Sequence, residues 1–241
     1  MAAFPISVDF EQISSDAAQP EVETEMARLE KELDLKGKTI GLGMDRLDYT
    51  KGIPERLLAY ERFLRDNPEY RGKTVFIQAG MPSREKIGAY QKLGNHIEGI
   101  INSINDEFGM GHWQPVIAMS GQLSNVTLNA LRRLAHFCVV SSLDDGMNLV
   151  AKEYAAARND EDGVLLLSEF TGAAAELKDA LIINPYDIAG FAGTMKLAME
   201  MSGDERRRRM AGLRTVVREN NIYHWAAELL SRLTGIMEGE R

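Results

Sequence analysis

The sequence has one cysteine, Cys138, among its 241 residues. That excludes an internal disulfide framework. Cys138 lies in the apolar run "FCVV", so it reads as a buried structural thiol, and a reducing, cytoplasmic setting is expected. No apolar run approaches the roughly 20 residues of a membrane-spanning helix. The N-terminus lacks the basic-then-apolar layout of a secretory signal. There is no internal repeat and no low-complexity segment. The four histidines, His96, His112, His136 and His224, have no metal-ligand spacing, so no metal is expected. No G-x-x-x-x-G-K-[ST] phosphate loop and no G-x-S-x-G nucleophile turn occurs, and Gly41-x-Gly43 has no third glycine. The net charge of −8 argues against a nucleic acid as main partner, though not against a local basic pocket.

What is present is an ordinary globular balance, 44% hydrophobic and 27% charged. Short apolar runs predict strands at 39–44, 74–79, 116–119, 137–141, 164–167 and 180–183. Between them, helical spacing predicts helices at 54–65, 84–104, 125–135, 149–157 and 172–177. The first 20 residues are weakly patterned, and a polar helix follows at 21–33. Terminal helices are expected at 189–201, 204–219 and about 224–236. The runs are continuous rather than alternating, as strands covered on both faces are. The expected fold is therefore α/β, a doubly wound parallel sheet of Rossmann type.

In such sheets ligands bind at the carboxyl ends of the strands. Two stretches fall there. "GMDRLDYTKG" (43–52) follows the first strand and carries two cations, Arg46 and Lys51, which suit a phosphate or diphosphate. A solvated loop with Arg46 paired to Asp45 or Asp48 explains those charges equally well. "SSLDDGMNLVAKEY" (141–154) leaves a later strand, turns at Gly146 and opens a helix near Asn148. N–H groups at a helix start bind phosphate oxygens. Asp145 and Glu153 suit sugar hydroxyls and a ribose diol. The alternatives are plain turn chemistry at 144–146 and pairing of Glu153 with Lys152 or a nearby Arg. Arg206–Arg209 reads as a solvated helix face. Met195, Leu197, Met199 and Met201 read as core. Trp225, Leu229, Leu230 and Leu233 form an apolar stripe through which self-association would be feasible.

"DRLDYTKGIPERLLAYERFL", "MPSREKIGAYQKL", "DGMNLVAKEY", "GVLLLSEFTGAAAEL" and "ALIINPYD" together resemble the trehalose-6-phosphate synthase family of retaining glycosyltransferases. The resemblance covers residues 38–237. It implies the C-terminal, donor-binding half of a GT-B fold, with 1–37 as linker and N-terminal helix and 38–241 as the donor domain. "AFPISVDF" (3–10) is similar to the linker that follows the family's acceptor domain. The implied reaction moves glucose from UDP-glucose, or another nucleotide diphosphate glucose, to glucose 6-phosphate, without a cofactor or metal. By the same resemblance Arg46 and Lys51 hold the diphosphate. Gly146, Met147 and the N–H groups of Asn148, Leu149 and Val150 surround the phosphates and glucose. Asp145 meets glucose hydroxyls, Glu153 the ribose, and Arg84 the acceptor phosphate. The missing half, or a partner chain, would supply the acceptor site, so the isolated chain is expected to be inactive. Asp144 departs from the family, which usually has Arg there, and residues 117–137 match loosely. Relatives with the same motifs include glucosylglycerol-phosphate synthases, and a non-catalytic sugar-nucleotide binding module is a further reading.

Overall fold

Each apolar run is short, rich in β-branched or aromatic side chains and bounded by turn residues, which favours strand over helix. The computed structural model describes residues 4–81 and 88–239. Among these residues the runs form β1 (Thr39–Arg46), β2 (Thr74–Met81), β3 (Val116–Ser120), β4 (Phe137–Val140), β5 (Val164–Ser168) and β6 (Leu181–Ile183). They make one sheet, ordered β3-β2-β1-β4-β5-β6, with every pairing parallel. The doubly wound α/β expectation holds. Strand β1 runs two residues beyond the expected end, because Asp45 and Arg46 stay in register with Gly80 and Met81.

The helices are α1 (Phe10–Ala17), α2 (Pro20–Glu32), α3 (Ile53–Asp66), α4 (Gly88–Phe108), α5 (Asn125–Leu134), α6 (Leu149–Ala157), α7 (Ile188–Glu200), α8 (Gly203–Glu219) and α9 (Ile222–Gly239). Helix α3 packs on α4 and α7 in one layer; α5 and α6 pack with α1, α2 and α8 in the other. Strands β4 and β5 are buried along their whole length. Cys138 is buried as expected, and burial pushes its thiol up to about 12.

Four expectations need correction. The first 20 residues contain α1, whose two turns bury only Phe10 and Ala17 and so gave little pattern. Asp9 caps it by accepting from Gln12 N at 3.1 Å. The helix expected at 172–177 is a single 3-10 turn, Gly172–Ala175. Its first N–H groups go to Asp145 O (3.0 Å) and Met147 O (2.9 Å) instead of building a helix. Leu197 is exposed although Met195 is fully buried, because a two-residue step turns a helix by about 200°. Of the four arginines at 206–209 only Arg207 and Arg208 stand exposed. Arg206 binds Asp162, and Arg209 reaches Asp179 O at 3.1 Å. On α9, Leu230 and Leu233 are exposed, whereas Trp225 is half-buried and donates to Phe4 O at 3.1 Å.

Phe10 lies in the common core, beneath the guanidinium groups of Arg214 and Arg218. Phe10→Ala is expected to lower the unfolding free energy by about 3–5 kcal/mol in urea titration. An unchanged midpoint would show that the N-terminal segment is a tail rather than part of the fold.

Candidate functional site

The strand order reverses between β1 and β4, which opens a crevice at their carboxyl ends. A cavity of about 690 Å³ lies there, lined by Arg46 and Lys51 from the β1 side and by Asp145, Met147, Asn148, Leu149, Val150 and Glu153 from the β4 side. Two stretches 94 residues apart in sequence thus share one site. Ile13 and Asp16 of α1 and Asn129 and Arg132 of α5 complete its walls.

The β1 loop is fixed from below. Arg56, in α3, is fully buried and forms an ion pair with the equally buried Asp45. Full burial pushes the Asp45 carboxyl upward, and the Arg56 charge works against that. Arg56 Nε also donates to Ser141 Oγ at 3.0 Å, and its Nη2 to Lys51 O at 3.3 Å. The Ser141 hydroxyl donates to Gly52 O at 2.8 Å, and Leu143 N to Thr50 O at 2.7 Å. Gly52 has φ +61, and a Cβ there would lie 2.0 Å from Ser141 O. Only glycine fits a left-handed residue pressed against backbone.

Asp45 and Asp48 are therefore not partners of Arg46. Asp48 accepts from Thr50 N and Oγ1, both at 3.0 Å. The Arg46 side chain is exposed, and its guanidinium makes no hydrogen bond or ion pair with any described residue. Lys51 does have a partner: its Nζ lies 2.7 Å from Asp145 Oδ2. Asn148 Nδ2 donates to the same oxygen at 3.1 Å, and Met147 N to Oδ1 at 3.3 Å. Burial disfavours the Asp145 charge, but these donors outweigh it and hold the carboxyl below its ordinary 3.8.

The α6 start is shaped by Asn148, which takes a left-handed φ of 75 and caps the helix through Oδ1 to Ala151 N at 3.1 Å. No described residue accepts from the N–H groups of Asn148, Leu149 or Val150. These residues line the cavity, and their N–H groups are unpaired donors at the positive end of a helix. Glu153, one turn further, pairs with Arg132; Lys152 pairs with Glu176 at 3.2 Å. Asp144 is exposed and lies outside the cavity lining. Gly146 is exposed in the turn. Arg84 lies outside the described residues. Among the described residues no group of three or more His, Cys, Asp or Glu is placed to hold a metal, and no helix is long and apolar enough to cross a membrane.

Arg56 and Arg132 were not singled out in the sequence. Arg56 had a signal: it falls on the apolar face of α3 with Ile53, Leu57 and Tyr60, where a cation needs a buried partner.

A crevice offering unpaired helix-start amides and a free arginine is built for an anion. The model of glycosyltransferase family 20 matches residues 1–235. The chain belongs to this family. It is 42% identical to a trehalose-6-phosphate synthase of Mycobacterium avium over 97% of its own length and 47% of the relative's. It is 39% identical to a bifunctional trehalose-6-phosphate synthase/phosphatase of Thermoproteus tenax, over 97% and 32%. A UDP-forming alpha,alpha-trehalose-phosphate synthase from Burkholderia xenovorans, solved in complex with glucose-6-phosphate, superposes with a TM-score of 0.92 at 38% identity, over 97% of this chain and 51% of that one. The E. coli trehalose-6-phosphate structure bound with UDP-2-fluoro glucose gives a TM-score of 0.91 at 38% identity, over 96% and 51%. The chain spans about half the length, or less, of these family members.

The depressed Asp145 pKa fixes the sign of a pH effect. Its ionised form stabilises the folded chain above pH 3.8, and that contribution is lost as pH falls through the lowered folded-state value. Asp145→Asn is expected to flatten the acid limb of unfolding free energy against pH below about pH 4. An acid limb as steep as that of the wild type would contradict the Lys51–Asp145 pairing.

Proposed function

We propose that this chain is the donor-binding half of a trehalose-6-phosphate synthase. It holds UDP-glucose in the 690 Å³ cavity for transfer of glucose to glucose 6-phosphate. The observation that carries this reading is the unpaired Arg46 set beside the unpaired N–H groups of Asn148, Leu149 and Val150 across the β1–β4 crevice. Residues 38–241 are the donor domain in this reading, and 1–37 are the linker and N-terminal segment, whose helices α1 and α2 pack on it.

In this reading Arg46 and Lys51 bind the diphosphate, the α6 amides approach its oxygens, Asp145 accepts from glucose hydroxyls and Glu153 accepts from the ribose. Arg84 binds the acceptor phosphate. As the bond from glucose to the β-phosphate breaks, negative charge grows on the leaving diphosphate. Arg46 and Lys51 stand beside that charge in this reading and stabilise it electrostatically as it develops. The acceptor hydroxyl oxygen bonds to the anomeric carbon on the face from which the diphosphate departs, and the leaving phosphate oxygen takes its proton; bonding on that same face gives retention. Glucose hydroxyls at Asp145 would compete with Lys51, releasing its ammonium toward the phosphates. Apart from Arg84, most of the acceptor side of the cleft belongs in this reading to the family's other half, and the names of the relatives, one solved with glucose-6-phosphate and one with a UDP-sugar analogue, support both substrates.

Calorimetric titration tests the donor site. UDP and UDP-glucose are expected to bind, and Arg46→Ala to weaken both by roughly 10- to 150-fold, the equivalent of one charge-assisted contact of about 1.5–3 kcal/mol. The circular dichroism spectrum should be unchanged, because Arg46 is exposed and unpaired. No saturable heat with either nucleotide, or an unchanged affinity in the variant, would overturn the donor site. Supplied with UDP-glucose and glucose 6-phosphate, the isolated chain is expected to release no trehalose 6-phosphate; product would overturn the half-enzyme reading.

A further inference from the structure

One buried cation of the cavity wall has no part in the diphosphate site. Arg132 lies in the last turn of α5 and is only 8% exposed. Its Nη1 donates to Asn129 Oδ1 at 2.9 Å, and its Nη2 donates to Glu153 Oε2. A further donor, Nε–H, is buried without a hydrogen-bond partner. Folds generally avoid such orphan donors. An apolar side chain would fill this wall without leaving one, so packing alone does not account for a guanidinium here.

What the guanidinium supplies is orientation and charge. Asn129 pins one edge of a rigid planar fork, which fixes the direction of Nη2. That in turn commits one oxygen of Glu153. The other, Oε1, makes no hydrogen bond with any described residue, and Glu153 lines the cavity. A lone carboxylate beside a diphosphate would repel the ligand. Paired with Arg132, Glu153 keeps an acceptor oxygen while much of its charge is offset.

We propose that Arg132 is a positioning residue for nucleoside recognition: it holds Glu153 with one oxygen committed and the other free to accept from the adjacent hydroxyls of a ribose. The pair then selects ribonucleotides over deoxynucleotides. This role rests on the donor-site reading above, and it acts at the sugar of the nucleotide rather than at the diphosphate.

The test compares UDP with 2′,3′-dideoxy-UDP by calorimetry on the wild-type chain, Arg132→Met, Glu153→Gln and the double variant. Both ligands are titrated into the same protein, so a reduced folded fraction cancels from their affinity ratio. The wild type is expected to prefer UDP by about tenfold or more. Arg132→Met should lower that ratio to within about threefold of unity, and adding it to Glu153→Gln should change the ratio no further, since one acts through the other. Arg46→Ala should weaken both ligands and leave the ratio intact. If Arg132→Met does not fold, Arg132→Lys carries the same test, because an ammonium lacks the fork. A wild type that binds both ligands equally, or an arginine variant that keeps the wild-type ratio, overturns the positioning role and leaves the donor site standing. Absence of any UDP binding removes the site and this role together.

Discussion

The site depends on one buried guanidinium. Arg56 has no exposed surface, yet it reaches Asp45 on β1, Ser141 beyond β4, Gln78 on β2 and the Lys51 carbonyl in the loop above. It therefore joins the central strands just where their order reverses. A Cβ on Gly43 would lie 2.1 Å from Arg56 Nη1, so the strand is pared to glycine to admit it. Removing one partner of a fully buried ion pair strands the other charge, typically at about 3–5 kcal/mol. The crevice and its foundation are consequently one unit. The same side chain that satisfies Asp45 also sets the backbone that presents Arg46 and Lys51.

Above that foundation the electrostatics are local. The chain carries a net −8, and Asp16, Asp45, Asp145 and Glu153 all line the cavity. Each of the last three already has a cationic partner: Arg56, Lys51 and Arg132. Asp16 on the α1 wall has a hydrogen bond from Gln12 Nε2 at 2.8 Å and no cationic partner among the described residues; the uncompensated positive groups are Arg46 and the α6 amides. The arrangement therefore favours an anion at the mouth despite the acidic composition, and hydroxyl groups where a carboxylate is paired but not saturated. A nucleotide sugar presents both kinds of group in that order.

Much of this was legible in the sequence. The strands showed as continuous apolar runs because both sheet faces are covered, and all six appear where expected. The ends of β1 and β4 showed as abrupt changes from apolar to charged residues. What the sequence could not reveal was pairing. Whether Arg46 or Lys51 would be the free cation depends on Asp145, 94 residues away from Lys51, and on Arg56 claiming Asp45 first. Arg132 was hidden because a cation in the last turn of a helix is ordinary, and its burial comes from the neighbouring α6. Helix α1, which supplies Ile13 and Asp16 to the wall, has only two turns and two buried residues, too little for periodicity to register. Residues 82–87, with Arg84, lie outside the described structure, so the acceptor-phosphate role given to Arg84 rests on resemblance alone.

The most direct test is backbone amide NMR of the labelled chain during titration with UDP-glucose. If the β1–β4 crevice is the donor site, the largest saturable shifts fall on the amides of 46–52 and 146–150, those of Asn148, Leu149 and Val150 foremost. Shifts gathered instead around the smaller cavity between α4 and the ends of β2 and β3, lined by Gln78, Ile97 and Ser120, would place the nucleotide elsewhere and contradict the central claim.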